Sequence, residues 1–239
     1  MTWSIIARDA SGAFGIAIAS RFFAVGALCP HIRSGVGAVA TQALVNPSYG
    51  PAVLNVLAET VAPEEALARI TRADEGRDHR QVHAIDLVGR TSAFTGASCI
   101  DWCGHTAGDG FSAAGNMLAG PQVIEATAQA YRENATLPFA ERLIAALAAG
   151  EAAGGDKRGK QAAALLIYTT EAYSALDLRV DDHPEPIEEL KRLHDKSLER
   201  YQPFTAFLPS RARPAGITDR EVIEAGIERF HAQRPGSLQ

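Results

Sequence analysis

Residues 13 to 19 read Ala-Phe-Gly-Ile-Ala-Ile-Ala, a strand pattern with no polar side chain on either face. They follow residues 3 to 8, Trp-Ser-Ile-Ile-Ala-Arg, across the turn Asp9-Ala-Ser-Gly12. A hairpin whose second strand offers nothing to water has to be covered on both faces. The same scarcity of polar alternation recurs at 35–40 and 162–167. Two sheets stacked between helices satisfy that requirement. Short turns at 9–12 and 88–90 favour antiparallel pairing over a parallel, doubly wound sheet.

The rest of the chain fits such layers. A strand block through Gly35–Gln42 gives way to an apolar-periodic stretch with Val53, Leu54 and Leu57, and then to a helix that Pro63 opens, with Glu64 and Glu65 at its positive end and Leu67 and Ile70 facing inward. Short strands return from 80 to about 114. Pro121 and Pro138 each open a helical pattern that closes near Gly150, and a glycine-rich loop, 150–159, leads to a strand pair at 162–169 and 173–180. Helices end the chain. Thr218 with Glu221 reads as a capping box for the last of them, with Val222, Ile223, Ile227 and Phe230 as its stripe. Pro203, Pro209 and Pro214 mark 202–216 as a linker, so the expected organisation is one domain over 1–201 and a linker plus C-terminal helix over 202–239. Phe204, Phe207 and Leu208 in that linker lack a repeating core pattern and predict a covered surface in a homodimer.

Composition removes several classes of function. At 239 residues, 46% hydrophobic and 21% charged, the chain holds a sizeable core, and a net charge of −5 leaves no basic footprint for nucleic acid or an anionic membrane. No apolar run is long enough to span a bilayer, and MTWSIIARD lacks a signal core, which predicts a cytoplasmic protein. Cys29, Cys99 and Cys103 form no disulfide framework. Cys99-Ile-Asp-Trp-Cys103-Gly-His105 lacks zinc-site spacing, and Gly154-Gly155-Asp156 lacks the Gly-Lys-Ser/Thr ending of a phosphate loop, so neither metal nor cofactor is expected.

Thr2 heads the first strand directly after the initiator methionine. Removing Met1 would expose an α-amine with a reference pKa of about 7.7–8.0, able to deprotonate the Thr2 hydroxyl, so one residue would supply both nucleophile and base. Polar residues interrupting other strand ends are the candidates to complete a site: Gln42 and Asn116 as oxyanion donors, Arg33 for charge stabilisation, and Asn46, Asp156, Arg158 and Gln161 for substrate.

The segment Thr2-Trp-Ser-Ile-Ile-Ala-Arg-Asp, the turn, and Phe14-Gly-Ile-Ala-Ile-Ala-Ser-Arg21 with Gly26 resembles the opening of N-terminal-nucleophile (Ntn) hydrolases of the proteasome β-subunit type. The acidic residue that this class carries before Ser-Arg is Ala19 here. Over about the first 180 residues the chain resembles a bacterial Ntn-hydrolase-like family of unknown function, through Ala38–Ala43, Gly50-Pro51, Gly115-Asn116, Leu118–Pro121, Gly154–Gln161 and Gln161–Leu166. The resemblance implies an α+β fold, a four-layer αββα sandwich of mainly antiparallel sheets. It further implies an amidohydrolase acting on a small amide, ureido or amino-acid-derived substrate; a non-catalytic ligand-binding or assembly protein on the same fold is the alternative.

Overall fold

The computed structural model describes residues 2–233. Thr2–Arg8 (β1) and Phe14–Ser20 (β2) pair antiparallel, Thr2 opposite Ser20 and Arg8 opposite Phe14. Asp9 closes the turn between them by accepting from the N–H groups of Ser11 and Ala13, each at 2.9 Å. The next elements are α1 (Val25–Leu28), β3 (Pro30–Arg33), β4 (Gly37–Ala43), α2 (Tyr49–Ala58) and α3 (Pro63–Arg72). Four strands follow, β5 (Arg80–Asp86), β6 (Thr91–Thr95), β7 (Trp102–Gly108) and β8 (Phe111–Leu118), then α4 (Gln122–Glu133), α5 (Phe139–Ala152), β9 (Ala162–Tyr168) and β10 (Leu176–Val180).

The strands form two antiparallel sheets, one ordered β10-β9-β2-β1-β8-β7 and the other β3-β4-β5-β6. They face each other. Ile6, Phe14 and Ile16 of the larger sheet meet Ala38, Ala40 and Ile85 of the smaller, all fully buried. On the outer faces α4 and α5 lie against the larger sheet and α2 and α3 against the smaller, which gives the four-layer αββα sandwich. β2 is buried along its whole length, as its unbroken apolar sequence requires. Close approach of α5 is secured at Gly15, where a Cβ would sit 2.4 Å from Leu143 Cδ1.

β3 is the strand that the sequence pattern does not reveal. It has four residues, begins at Pro30, is nowhere fully buried, and edges the smaller sheet, so no apolar alternation marks it.

By contact the chain divides into two compact units, Met1–Leu190 and Lys191–Gln239. A further helix, α6, spans Pro186–Glu199; beyond it lie α7 (Tyr201–Thr205) and α8 (Arg220–Ala232). α7 thus occupies the start of the expected linker. The Phe207 ring packs on Gly226 of α8, where a Cβ would lie 2.2 Å from it, so this linker aromatic has a partner within its own unit. The cap of α8 is Asp219 rather than Thr218: its carboxylate accepts from the N–H groups of Glu221 and Val222, and a carboxylate suits the positive helix end. Ile223 and Ile227 are buried on α8, whereas Val222 is exposed.

Candidate active site

Alternation along β1 sends Trp3 towards α5 and Thr2 and Ser4 towards the second sheet. Thr2 stands at the strand head, 6% exposed, its Oγ1 3.0 Å from Ser20 Oγ across the hairpin. It lines a cavity of about 400 Å³ together with Gln42, Asn116 and Arg158, three of the residues expected beside it. These positions are far apart in sequence and meet because β8 pairs with β1, Asn116 opposite Thr2, while the end of β4 faces them from the other sheet.

Behind Thr2 the space between the sheets holds a chain of buried polar side chains whose directions can be worked out. Ser4 has one hydroxyl hydrogen and donates it to Gln42 Oε1 at 2.8 Å. Its 2.9 Å contact with His83 Nε2 is therefore one in which the ring donates. Burial, with His105 a lesser cause, pushes the His83 pKa down to about 3, so the ring is neutral and its other nitrogen, Nδ1, accepts from Ser112 Oγ at 3.0 Å. Gln42 Nε2 donates to Gln81 Oε1 at 2.8 Å, and Gln81 Nε2 in turn reaches Thr95 Oγ1 and the Gly115 carbonyl at 2.9 Å and the Gly104 carbonyl at 3.2 Å.

Asn116 joins this chain from the cavity side, its Nδ2 donating to Gln81 Oε1 at 3.1 Å and lying 3.5 Å from the Thr2 carbonyl. With the amide held that way, Asn116 Oδ1 is buried without a partner among the described residues.

The backbone of the cavity wall is strained. Ala43 (φ 71°) and Met117 (φ 55°) follow Gln42 and Asn116 directly, both line the cavity, and both hold the left-handed conformation, which disfavours a residue with a Cβ by roughly 1–2 kcal/mol. Opposite Met117 the β7–β8 register shifts between Trp102 and Gly104. Cys29, also on the wall, is buried, and burial pushes its thiol up to about 12, so it is inert as a nucleophile.

Arg33, Asn46, Asp156 and Gln161 do not line this cavity. Arg33 ends β3 and donates to Asn55 Oδ1 at 2.8 Å, on α2. Asn46 caps its own turn by accepting from Ser48 N–H at 3.1 Å, and Gln161 Nε2 donates to Asp182 at 3.1 Å. Asp156 is buried behind Arg158, its carboxylate taking the N–H groups of Arg21 and Arg158, both at 2.8 Å, and Arg158 Nη2 at 3.3 Å. It ties the glycine-rich loop to the end of β2 and, through a bridge to Leu118, to β8. The same carboxylate therefore holds both the backbone and the guanidinium of Arg158.

Sequence reasoning passed over Ser4, Gln81, His83 and Ser112. A signal existed: polar residues two apart, Thr2 with Ser4 and Gln81 with His83, share one face of strands that are otherwise apolar.

The layers, with Thr2 at the head of the first strand over a polar inter-sheet core, define an αββα-sandwich protein. The family described as of unknown function (DUF1028) matches residues 2–190, and the chain belongs to it. A protein of that family from Silicibacter pomeroyi, of known crystal structure, is 34% identical, with a TM-score of 0.84 over 91% of this chain and 99% of its own. Weaker matches among solved structures are HslV from Trypanosoma brucei (11% identity, TM-score 0.46, 69% of this chain and 98% of that one) and Anbu, an ancestral β-subunit, from Yersinia bercovieri (13%, 0.39, 87% and 98%). No curated protein matches the chain.

Proposed function

We propose that the chain is an N-terminal-nucleophile amidohydrolase acting on a small amide, ureido or amino-acid-derived substrate. The observation that carries this reading is the place of Thr2, a hydroxyl at a strand head on the wall of an open cavity whose other polar lining includes Gln42, Asn116 and Arg158. After removal of Met1, the Thr2 amine takes the proton from Oγ1, and Oγ1 attacks the carbonyl carbon. Ser20, 3.0 Å from Oγ1, steers the hydroxyl. Backbone N–H groups around the strained Ala43 and Met117 serve the developing oxyanion, and Arg158 holds a substrate carboxylate.

The alternative, a ligand-binding protein without catalysis, draws support from Ala19 and from the partner of Thr2 Oγ1 being a hydroxyl and not a titratable group. Intact mass of the natively expressed chain, followed by labelling with a β-lactone acylating probe and peptide mapping, separates the two. The hydrolase reading expects a chain beginning at Thr2 that is acylated on Thr2, with labelling abolished in Thr2→Ala while thermal stability changes by less than about 1 kcal/mol. Uniform retention of Met1, or labelling unaffected by Thr2→Ala, favours the binding protein.

A further inference from the structure

The lining of the Thr2 cavity is chemically lopsided. Phe22, Leu44 and Ile100 are 47%, 62% and 59% exposed, and all three line it, joined by Val45 and Met117. Large apolar side chains clustered around one concavity form a surface that water solvates poorly and that an apolar ligand would cover. The charged lining is of one sign. Arg158 contributes a guanidinium, and among the described lining residues there is no Asp or Glu. Asp156, which pairs with Arg158, keeps its own side chain buried and oriented by two backbone N–H groups, so it presets the guanidinium without presenting a carboxylate to the cavity. A ligand complementary to both features carries an apolar body and an anionic group. The volume, about 400 Å³, suits one small molecule.

We infer that the cavity takes an N-acyl amino acid, its acyl chain against the apolar rim and its carboxylate on Arg158; this assignment rests on the Thr2 reading for the position of the scissile amide. Thr2 Oγ1 forms a bond to the acyl carbon, the acyl C–N bond breaks, and the departing amino acid takes the proton held by the Thr2 amine. Water then cleaves the acyl ester, releasing the carboxylic acid and restoring the hydroxyl. No electron is gained or lost.

Binding to the full-length Thr2→Ala protein, which needs no nucleophile, tests the ligand class. Three probes are titrated calorimetrically: N-octanoylglycine, its uncharged analogue octanoylglycinamide, and N-acetylglycine. The expected result is that octanoylglycine binds about 5- to 10-fold tighter than the glycinamide and at least about 30-fold tighter than acetylglycine. The first ratio should collapse to near one when Arg158→Met is added. The second should fall several-fold on adding Ile100→Ser, an exposed rim position whose replacement leaves the core intact. Octanoylglycine failing to bind at millimolar concentration, or either ratio being near one before those changes, overturns the inference. Selective binding without release of glycine by a chain beginning at Thr2 instead defeats the hydrolase reading and leaves the ligand class standing.

Discussion

The orientation of Asn116 is the residue-scale fact with the clearest consequence. Its Nδ2 meets Gln81 Oε1, and Gln81 cannot turn its amide because its Nε2 already serves Thr95, Gly104 and Gly115. In Asn116→Asp the new carboxylate would face the Gln81 Oε1 acceptor at a position only 1% exposed, which raises its pKa in the folded state. Stability is then kept at low pH, where the acid donates a hydrogen, and lost as pH rises through the raised pKa; urea denaturation should show the variant about 2–4 kcal/mol below wild type at pH 7 and the gap closing towards pH 4. His83 works in the opposite direction. Its pKa lies at about 3 when folded against 6.5 as an ordinary histidine, so the unfolded chain binds the proton first and wild-type stability falls as pH drops below 6.5. His83→Gln should lose up to about 1.4 kcal/mol per pH unit of that slope while being destabilised at pH 8 by about 1–3 kcal/mol, both read from denaturation at a series of pH values.

At the scale of elements, strain gathers where β4 and β8 end. Ala43→Gly should relieve the left-handed conformation and raise stability by about 0.5–1 kcal/mol in thermal unfolding, the gain being reduced by the freer unfolded chain. That strain was invisible in the sequence, because alanine and methionine give no sign of a positive φ. The hairpin of β1 and β2 was legible, since an unbroken apolar run after a tight Asx turn has few other solutions, and so were α3, α4 and α5 through their opening prolines. β3 was not, being a half-exposed edge of four residues that needs no pattern. Within the site the strand-end residues Thr2, Gln42 and Asn116 could be found because each interrupts an apolar boundary. Arg33 and Gln161 interrupt boundaries too, but pair with Asn55 and Asp182, partners that no local pattern announces.

For the molecule as a whole, the two central strands come from the N-terminus, and their outer neighbours β8 and β9 are made more than ninety residues later. The larger sheet, in which β2 pairs with β9, is complete only once β9 is present, and such non-local pairing folds slowly. A chain ending at residue 150, which has β8 but lacks β9 beside β2, should show no cooperative urea transition by circular dichroism. The same construction makes the cavity a junction of Thr2, Gln42, Ile100, Met117 and Arg158, contributed by segments that are brought together only in the finished fold. Occupancy is therefore linked thermodynamically to global unfolding and not to a local loop. A compound held at one hundred times its dissociation constant raises the unfolding free energy by about 2.7 kcal/mol, so melting temperature across a compound collection should single out the compounds that this cavity holds without any assay of their chemistry.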